Sequence, residues 1–238
     1  LSPERCYPDY ATLFAQEAQR PDGIQAVSVA TPNGTHFAIC QAALEAGLHV
    51  VCEKPLCFTT EQAEQLRQLA AAQGRIVGVT YGYAGHQLIE QAREMIAAGE
   101  LGEIRGYRGI HCEDYMADAN GQFTFRHDPA GGGALADIGS HALATAEFLC
   151  GPITRVMGDC ITMITDRPDG RGGRKAVTVD DVGRAFVRFE NGATGSIEGN
   201  WIATGRKMQH DFEVYGTKGA LCFSQERFNE LHFYSTAD

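Results

Sequence analysis

The stretch IQAVSVATPNGTHFAICQAALEAGLHVVCEKP, residues 24–55, decides the fold of the N-terminal part of the chain. Residues 24–30 have the pattern of a short buried strand, and an alanine-rich helix follows that ends at Gly47. A second apolar strand, 48–52, comes directly after this helix. The pattern predicts a strand, helix, strand unit with two parallel strands.

A second unit of the same kind continues from the first. Thr59 is placed to cap a helix predicted over residues 61–73, with Gln62 at the capping-box position, and Gly74 ends this helix before a strand over 75–80. Two such units with almost continuously apolar strands predict a parallel sheet that is covered by helices.

The pattern changes near residue 100. After a helix predicted over 86–98, strand-like segments dominate, and one helix over 133–149 interrupts them. Asn191-Gly192 and the GTKGA stretch, 216–220, each predict a hairpin. The predicted fold class is therefore α/β, with a partial parallel sheet followed by an α+β domain that has a large antiparallel sheet. One face of that sheet should pack on helices, and the other should face water or a partner subunit.

The composition of the chain indicates which kinds of binding partner to expect. Twenty Lys and Arg against thirty Asp and Glu give a net charge of -10, which disfavours nucleic acid and anionic membranes and favours a small-molecule partner. No apolar run reaches the roughly 18 residues of a membrane span, so we expect a cytoplasmic protein. The eight cysteines show no metal-ligand spacing and are expected to be buried free thiols.

Two polar motifs follow predicted parallel strands. TPNGTH, residues 31–36, and CEKP, residues 52–55, both leave the carboxyl end of a strand, where ligands of open α/β sheets bind. A partly desolvated Lys54 at this edge is suited to stabilising a developing alkoxide or exchanging a proton. The alternatives are an ordinary strand-to-helix turn and a solvated Glu53 and Lys54 pair.

A third motif, GGGALADIGSHA, residues 131–142, spans the start of the later helix. Asp137 and His141 are four residues apart, and a carboxylate that orients an imidazole is the usual arrangement of a general acid/base. Gly139 weakens a helix, which predicts a close approach to its backbone. A solvated pair is the alternative, and a metal site with His111 or His127 is a second alternative that no ligand spacing supports.

TPNGTH, CEKPL, FRHDPAGGGALADIGSH and the closing strands together resemble the Gfo/Idh/MocA family of NAD(P)-dependent oxidoreductases, which contains inositol dehydrogenases and glucose-fructose oxidoreductase. The resemblance covers nearly the whole chain. It implies a dinucleotide-binding Rossmann domain, residues 1–100 and incomplete, followed by a substrate and oligomerisation domain, residues 101–238 and truncated. It also implies NAD or NADP as cofactor, a sugar or polyol as substrate, and a homo-oligomer, a dimer or tetramer.

The resemblance assigns roles to individual residues. Lys54 would bond the reacting oxygen, and Asp137 would tune His141, the acceptor of the hydroxyl proton. The residues expected to line the cofactor are Thr31, Pro32, Asn33, His36, Glu53 and Lys54, and those expected to bind substrate are Lys54, Arg126, Asp137 and His141. No metal is expected. A non-catalytic sugar-binding or regulatory relative with the same fold is the competing hypothesis.

The chain also departs from the family pattern. No G-x-G-x-x-G turn is present at its head, and about two strands of the nucleotide-binding half are expected upstream of Leu1. After GVTY the family often has an asparagine and an arginine, whereas this chain has GYAGHQL, residues 82–88. The sequence leaves open the choice between NAD and NADP and the identity of the sugar or polyol.

Overall fold

The structure is a computed structural model that describes residues 3–237. The chain divides into two compact units, residues 1–81 and 82–238. Within residues 3–237, no helix combines the length and the apolar character that crossing a membrane requires.

The first unit contains the predicted parallel sheet. Its helices are α1 (Tyr10–Glu17), α2 (His36–Glu45) and α3 (Thr60–Gln73), its strands are β1 (Ala26–Val29), β2 (His49–Cys52) and β3 (Val77–Val79), and short 3-10 turns span Pro3–Arg5 and Asn33–Thr35. The strands pair in the order β1-β2-β3, all parallel. The predicted cap is confirmed, because the Thr59 hydroxyl accepts the Gln62 N–H at 3.2 Å.

The carboxyl ends of the three strands lie side by side. Val29 is the register partner of Cys52, and Cys52 is the partner of Val79. The Glu53 N–H continues this pairing by donating to the Val29 carbonyl at 2.9 Å. The loops after β1 and β2 therefore leave the sheet at one edge, as the sequence predicts.

The second unit holds the remaining elements. Its helices are α4 (Gln87–Ala97) and α5 (Ser140–Cys150), with 3-10 turns at Gly82–Gly85, Phe125–His127, Pro129–Gly131 and Gln225–Arg227 and a π-helical turn at Leu135–Gly139. Its strands are β4 (Ile104–Cys112), β5 (Ile153–Ile161), β6 (Asp166–Pro168), β7 (Arg174–Ala176), β8 (Val182–Phe189), β9 (Thr194–Asn200), β10 (Gln209–Gly216), β11 (Gly219–Ser224) and β12 (Leu231–Ser235).

Seven of these strands form one large sheet in the order β12-β11-β10-β4-β9-β8-β5. The fold class is confirmed with one difference, since β4 and β9 pair in parallel inside an otherwise antiparallel sheet. The β6-β7 hairpin was missed, because the polar PDGRGGRK stretch within it has no apolar alternation to signal a strand.

Both predicted hairpins are present. Gly192 has φ of 89°, and the Phe189 N–H donates to the Ala193 carbonyl at 2.9 Å. The loop therefore has three residues, 190–192, rather than the two that an Asn-Gly pair indicates, which is the usual geometry when a left-handed glycine ends the turn. Thr217 and Lys218 form the loop between β10 and β11.

The two faces of the large sheet differ as predicted. Helices α4 and α5 cover one face, where Ile89, Ala142, Ala146 and Phe212 belong to the buried core. On the opposite face Met157 is 68% exposed and Phe186 is 66% exposed. We call this second surface the open face.

The cysteine prediction is confirmed in part. All eight cysteines are free thiols. Four of them, Cys40, Cys52, Cys112 and Cys150, are buried, whereas Cys6, Cys160 and Cys222 are exposed and Cys57 is half-buried. Burial was overestimated for the strand cysteines, since an apolar neighbour in sequence points to the other face of a strand.

Candidate active site

The first unit brings the TPNGTH loop and the CEKP loop together through His36. This imidazole is fully buried, with Nδ1 2.8 Å from the Pro55 carbonyl oxygen and Nε2 2.7 Å from the Thr31 carbonyl oxygen. Both oxygens are carbonyl acceptors, to which a ring N–H of the imidazole donates. His36 therefore joins the two loops through their backbones.

Side chains of these loops are partly or fully exposed at the edge of the sheet. Thr31, Pro32 and Glu53 are exposed, and Asn33 and Lys54 are half-buried. The Thr31 and Thr35 hydroxyls lie 2.6 Å apart, and the Thr35 hydroxyl donates to the Pro32 carbonyl at 2.7 Å. Hydroxyl, amide, carboxylate and ammonium groups at the carboxyl edge of a parallel sheet fit the ribose and phosphate groups of a dinucleotide.

In the second unit, Asp137 is held from two sides. The Tyr115 hydroxyl donates to Asp137 Oδ2 at 2.8 Å, and the Arg126 Nε donates to the same oxygen at 2.9 Å. Burial and the Asp137 charge raise the pKa of Tyr115, so its phenol remains a donor. The carboxylate is therefore fixed in place by a cation and a neutral hydroxyl.

The helix that carries Asp137 and His141 starts near residue 133 as predicted, but it contains the π-helical turn at Leu135–Gly139, which the sequence did not predict. Its first N–H groups are capped by Asp180, whose carboxylate accepts the Leu135 N–H at 2.8 Å. Burial raises the pKa of Asp180. A π-helical turn is often found at a functional site, because it moves side chains off the regular helical spacing.

The expected close approach at Gly139 is present. A Cβ added at Gly199, on the neighbouring strand β9, would lie 2.7 Å from the Gly139 Cα. The missing side chain of Gly199 therefore lets the π-helical turn rest directly on the strand, whereas a Cβ at Gly139 would meet the Gly199 Cα at 3.4 Å. This contact sets the depth at which Asp137 and His141 lie over the sheet.

His141 is 8% exposed and lies in the first turn of α5. Its ring packs edge-on against Tyr83, with centroids 4.6 Å apart, and lies 5.7 Å from the ring of His111. The imidazole is thus largely removed from water, with aromatic rings on at least two sides.

The two histidines considered for a metal site have other neighbours. His111 Nε2 lies 2.9 Å from a carboxylate oxygen of Glu113, and His127 Nδ1 accepts the Thr124 N–H at 2.9 Å. Burial, followed by the charge of Arg167, lowers the pKa of His127. In the part of the chain that the structure describes, no group of three or more His, Cys, Asp or Glu residues is arranged to hold a metal ion.

The predicted site residues divide between the units. Thr31, Asn33, His36, Glu53 and Lys54 belong to the first unit, whereas Arg126, Asp137 and His141 belong to the second. Arg126 was predicted to contact substrate or nicotinamide, and the structure adds an ion pair with Asp137.

Sequence reasoning missed Tyr115 and Tyr83. Tyr115 follows the end of β4 by three residues, and its position at the end of a sheet strand is the only signal that would have indicated it. Tyr83 lies in the GYAGHQL segment, which was noticed only for what it lacks.

Comparison with known proteins agrees with this geometry. Residues 3–81 match the sequence model of an oxidoreductase family with an NAD-binding Rossmann fold, and residues 89–222 match that of the GFO/IDH/MocA C-terminal domain. The predicted cofactor class is thereby confirmed for the family, in the form of NAD.

Several similar proteins have names or structures that refer to sugars or polyols. Levoglucosan dehydrogenase of Pseudarthrobacter phenanthrenivorans is 35% identical over 92% of this chain and 60% of that enzyme. An inositol dehydrogenase homolog from Azotobacter vinelandii, solved with NAD+, is 47% identical with a TM-score of 0.88 and covers 99% of this chain and 61% of that one. A second structure of an inositol dehydrogenase homolog from Azotobacter vinelandii, with NADH and myo-inositol, is 46% identical with a TM-score of 0.85 and covers 99% of this chain and 60% of that one.

The chain spans about three fifths of the length of the curated relatives that it matches. Within that span, the two family matches cover both structural units and include every predicted site residue. The parallel sheet with its two edge loops and the mixed sheet beneath the Asp137 helix are the two halves that those matches describe, and the chain belongs to the Gfo/Idh/MocA family of oxidoreductases.

Proposed function

We propose that the intact protein is a dehydrogenase that transfers hydride between a hydroxyl carbon of a sugar, inositol or related polyol and NAD(P). The observation that carries this proposal is the arrangement of Asp137, fixed by Arg126 and Tyr115, four residues before the buried His141. A fixed carboxylate close in sequence to a desolvated imidazole suits proton transfer to and from a hydroxyl group.

Each residue has a defined part in the oxidation. The hydroxyl O–H bond breaks and its proton passes to a ring nitrogen of His141. The hydrogen on the same carbon leaves with its electron pair, and the C–O bond becomes a carbonyl. Asp137 tunes His141, and Lys54 donates a hydrogen bond to the reacting oxygen, where negative charge develops. Bound NAD(P) supplies the acceptor for the hydride.

The first unit would hold the cofactor through its edge loops. Thr31, Pro32, Asn33, Glu53 and Lys54 would contact it, and His36 would fix the two loops relative to each other. Arg126 would bind substrate oxygens with the part of its guanidinium that Asp137 does not use, since its side chain is 38% exposed.

The substrate class is supported by the relatives. Levoglucosan dehydrogenase and an inositol dehydrogenase homolog solved with myo-inositol both have names that point to cyclic molecules rich in hydroxyl groups. The Arg126, Asp137 and Lys54 side chains offer the charged donors and acceptors that such molecules require.

We also propose a cytoplasmic homo-oligomer, a dimer or tetramer, that associates through the open face. Arg184 donates two hydrogen bonds of 3.0 Å to Glu198 on this face, beside the exposed Met157 and Phe186. Apolar side chains interspersed with both signs of charge suit a self-complementary interface. A monomeric sedimentation profile of the intact protein would contradict this part of the proposal.

The function is tested by nucleotide binding followed by a substrate screen. The intact protein should bind NAD or NADP, measured by calorimetry, and should reduce the bound nucleotide with at least one member of a panel of inositols, aldoses and anhydrosugars, measured at 340 nm. Binding of sugars with no reduction would favour the non-catalytic relative. Binding of neither nucleotide would reject the dehydrogenase.

A further inference from the structure

Tyr83 lies at the centre of three imidazole rings. Its ring centroid is 4.6 Å from His141, 5.2 Å from His111 and 5.1 Å from His210, and the first two contacts are edge-on whereas the third is stacked. The four rings come from the 82–85 turn, β4, α5 and β10. We call them the ring cluster.

The ring cluster stabilises the fold less than an apolar core of the same size would. His111 and His210 are 0% and 1% exposed, yet within residues 3–237 the Nδ1 atom of each has no hydrogen-bond partner. A buried polar atom without a partner destabilises the folded state, and apolar side chains in the same space would avoid that penalty. Packing alone therefore does not explain why these polar rings are buried together.

Two carboxylates and one hydroxyl lie near the imidazoles of the ring cluster. Glu113 lies 2.9 Å from His111 Nε2, Thr145 lies 3.0 Å from His210 Nε2, and Asp137 precedes His141 on the same helical segment. Burial, together with the neighbouring His111 and His141, lowers the pKa of His210 to about 3.

Tyr83 itself stays neutral. Burial, followed by the charges of Glu113 and Asp137, raises the pKa of its phenol. Its hydroxyl donates to the Met208 sulfur at 3.2 Å. A neutral His210 and a neutral Tyr83 leave Glu113 and Asp137 as the negative groups that face the cluster.

We propose that Tyr83 is a positioning residue for His141, whose ring holds that imidazole in one orientation and shields it from water. The inference rests on the proposed function, in which His141 accepts the substrate proton. It also gives a role to the GYAGHQL segment, where the chain departs from the family pattern.

Two consequences follow for His141. A ring packed edge-on at 4.6 Å limits rotation of the imidazole, so the accepting nitrogen keeps its direction. The ring excludes water from the imidazole, and water favours the charged imidazolium, so loss of the ring should favour the protonated form.

The test compares Tyr83→Phe, which keeps the ring, with Tyr83→Leu and Tyr83→Met, which remove it. In the intact protein, the two aliphatic variants should lower kcat by about 10- to 100-fold, because a misplaced catalytic group has costs of this order. The acidic limb of their pH profile should move to higher pH, and nucleotide affinity should not change. Tyr83→Phe should stay within about threefold of wild type, since it loses only the weak bond to sulfur.

A second readout does not depend on turnover. The titration of the His141 ring, followed by NMR in the intact protein and assigned with His141→Asn, should have its midpoint at higher pH in Tyr83→Leu or Tyr83→Met than in wild type and Tyr83→Phe. Tyr10→Leu, which removes a 41% exposed tyrosine in the first unit, is the matched control and should leave the midpoint unchanged.

The outcomes separate the two proposals. An unchanged His141 midpoint in a folded aliphatic variant would overturn the positioning role, whatever the activity. A shifted midpoint in a protein that oxidises no polyol would uphold the contact between Tyr83 and His141 and reject the proposed function. Two aliphatic variants are used, so that the comparison stands if one of them does not fold.

Discussion

Histidines that look alike in the sequence have different surroundings at the residue scale. His36 joins two loop backbones, His127 lies beside Trp201 and Phe123, and His210 is buried in the ring cluster. Spacing to Asp137 was enough to indicate His141 as a candidate base. It was not enough to indicate Tyr115 and Arg126 as partners of Asp137, or Tyr83 as a neighbour of His141, because those contacts join residues that are distant along the chain.

The burial of His210 should make the stability of the second unit depend on pH. Above pH 6.5 the imidazole is neutral in both the folded and the unfolded chain. Below pH 6.5 the unfolded chain binds a proton at this imidazole. The folded chain does not, because the pKa of His210 is lowered to about 3. The free energy of unfolding should therefore fall as pH falls from 6.5 toward 3, by roughly 1.4 kcal/mol per pH unit at most.

The measurement is urea unfolding at pH 7.0 and 5.0 in wild type and His210→Phe. The loss between the two pH values should be smaller in the variant. Thr145→Val, which removes the His210 partner and keeps the imidazole, should retain the loss seen in wild type. Equal losses in wild type and His210→Phe would show that His210 is not the group responsible.

At the scale of elements, the sequence predicted the parallel half of the fold well. Continuous apolar strands, Thr59 and Gly74 mark the ends of its elements with local chemistry. It predicted the π-helical turn poorly, because that turn depends on Asp180 and on the contact between Gly139 and Gly199, which lie in separate elements. The parallel pairing of β4 and β9 was missed for the same reason, since hairpin signals indicate only neighbouring strands.

Gly199→Ala should lower activity by shifting the π-helical turn that carries Asp137. The added Cβ would meet the Gly139 backbone at 2.7 Å and 2.9 Å, so the π-helical turn must shift away from β9. Overpacking of this kind costs about 1–3 kcal/mol of stability. Since the same turn carries Asp137, activity should fall in parallel with the free energy of unfolding.

Gly78→Ala is the matched control, because it places a Cβ on a strand glycine with no heavy atom within 4 Å. It should leave stability within about 1 kcal/mol of wild type. Chemical unfolding and a crystal structure of Gly199→Ala check the prediction. A stable, fully active Gly199→Ala protein would show that the turn does not depend on this contact.

At the scale of the whole molecule, the two units supply different parts of the proposed chemistry. The first presents polar loops at the carboxyl edge of a parallel sheet, and the second presents a fixed carboxylate, a buried imidazole and the open face. Composition and charge predicted the absence of nucleic-acid chemistry, and motif order indicated the family. The sugar or polyol itself could not be predicted, since it depends on side-chain positions that spacing does not give.

The central claim is that His141 accepts the substrate proton in a polyol dehydrogenase. The most direct test is the rate of NAD(P) reduction at 340 nm by the intact protein and by His141→Asn, with the hydroxyl substrate identified in the screen. The claim predicts a fall of about 10²- to 10⁴-fold in kcat for His141→Asn, the range for loss of a general base, with nucleotide binding and folding preserved. A folded His141→Asn protein with wild-type turnover would contradict it.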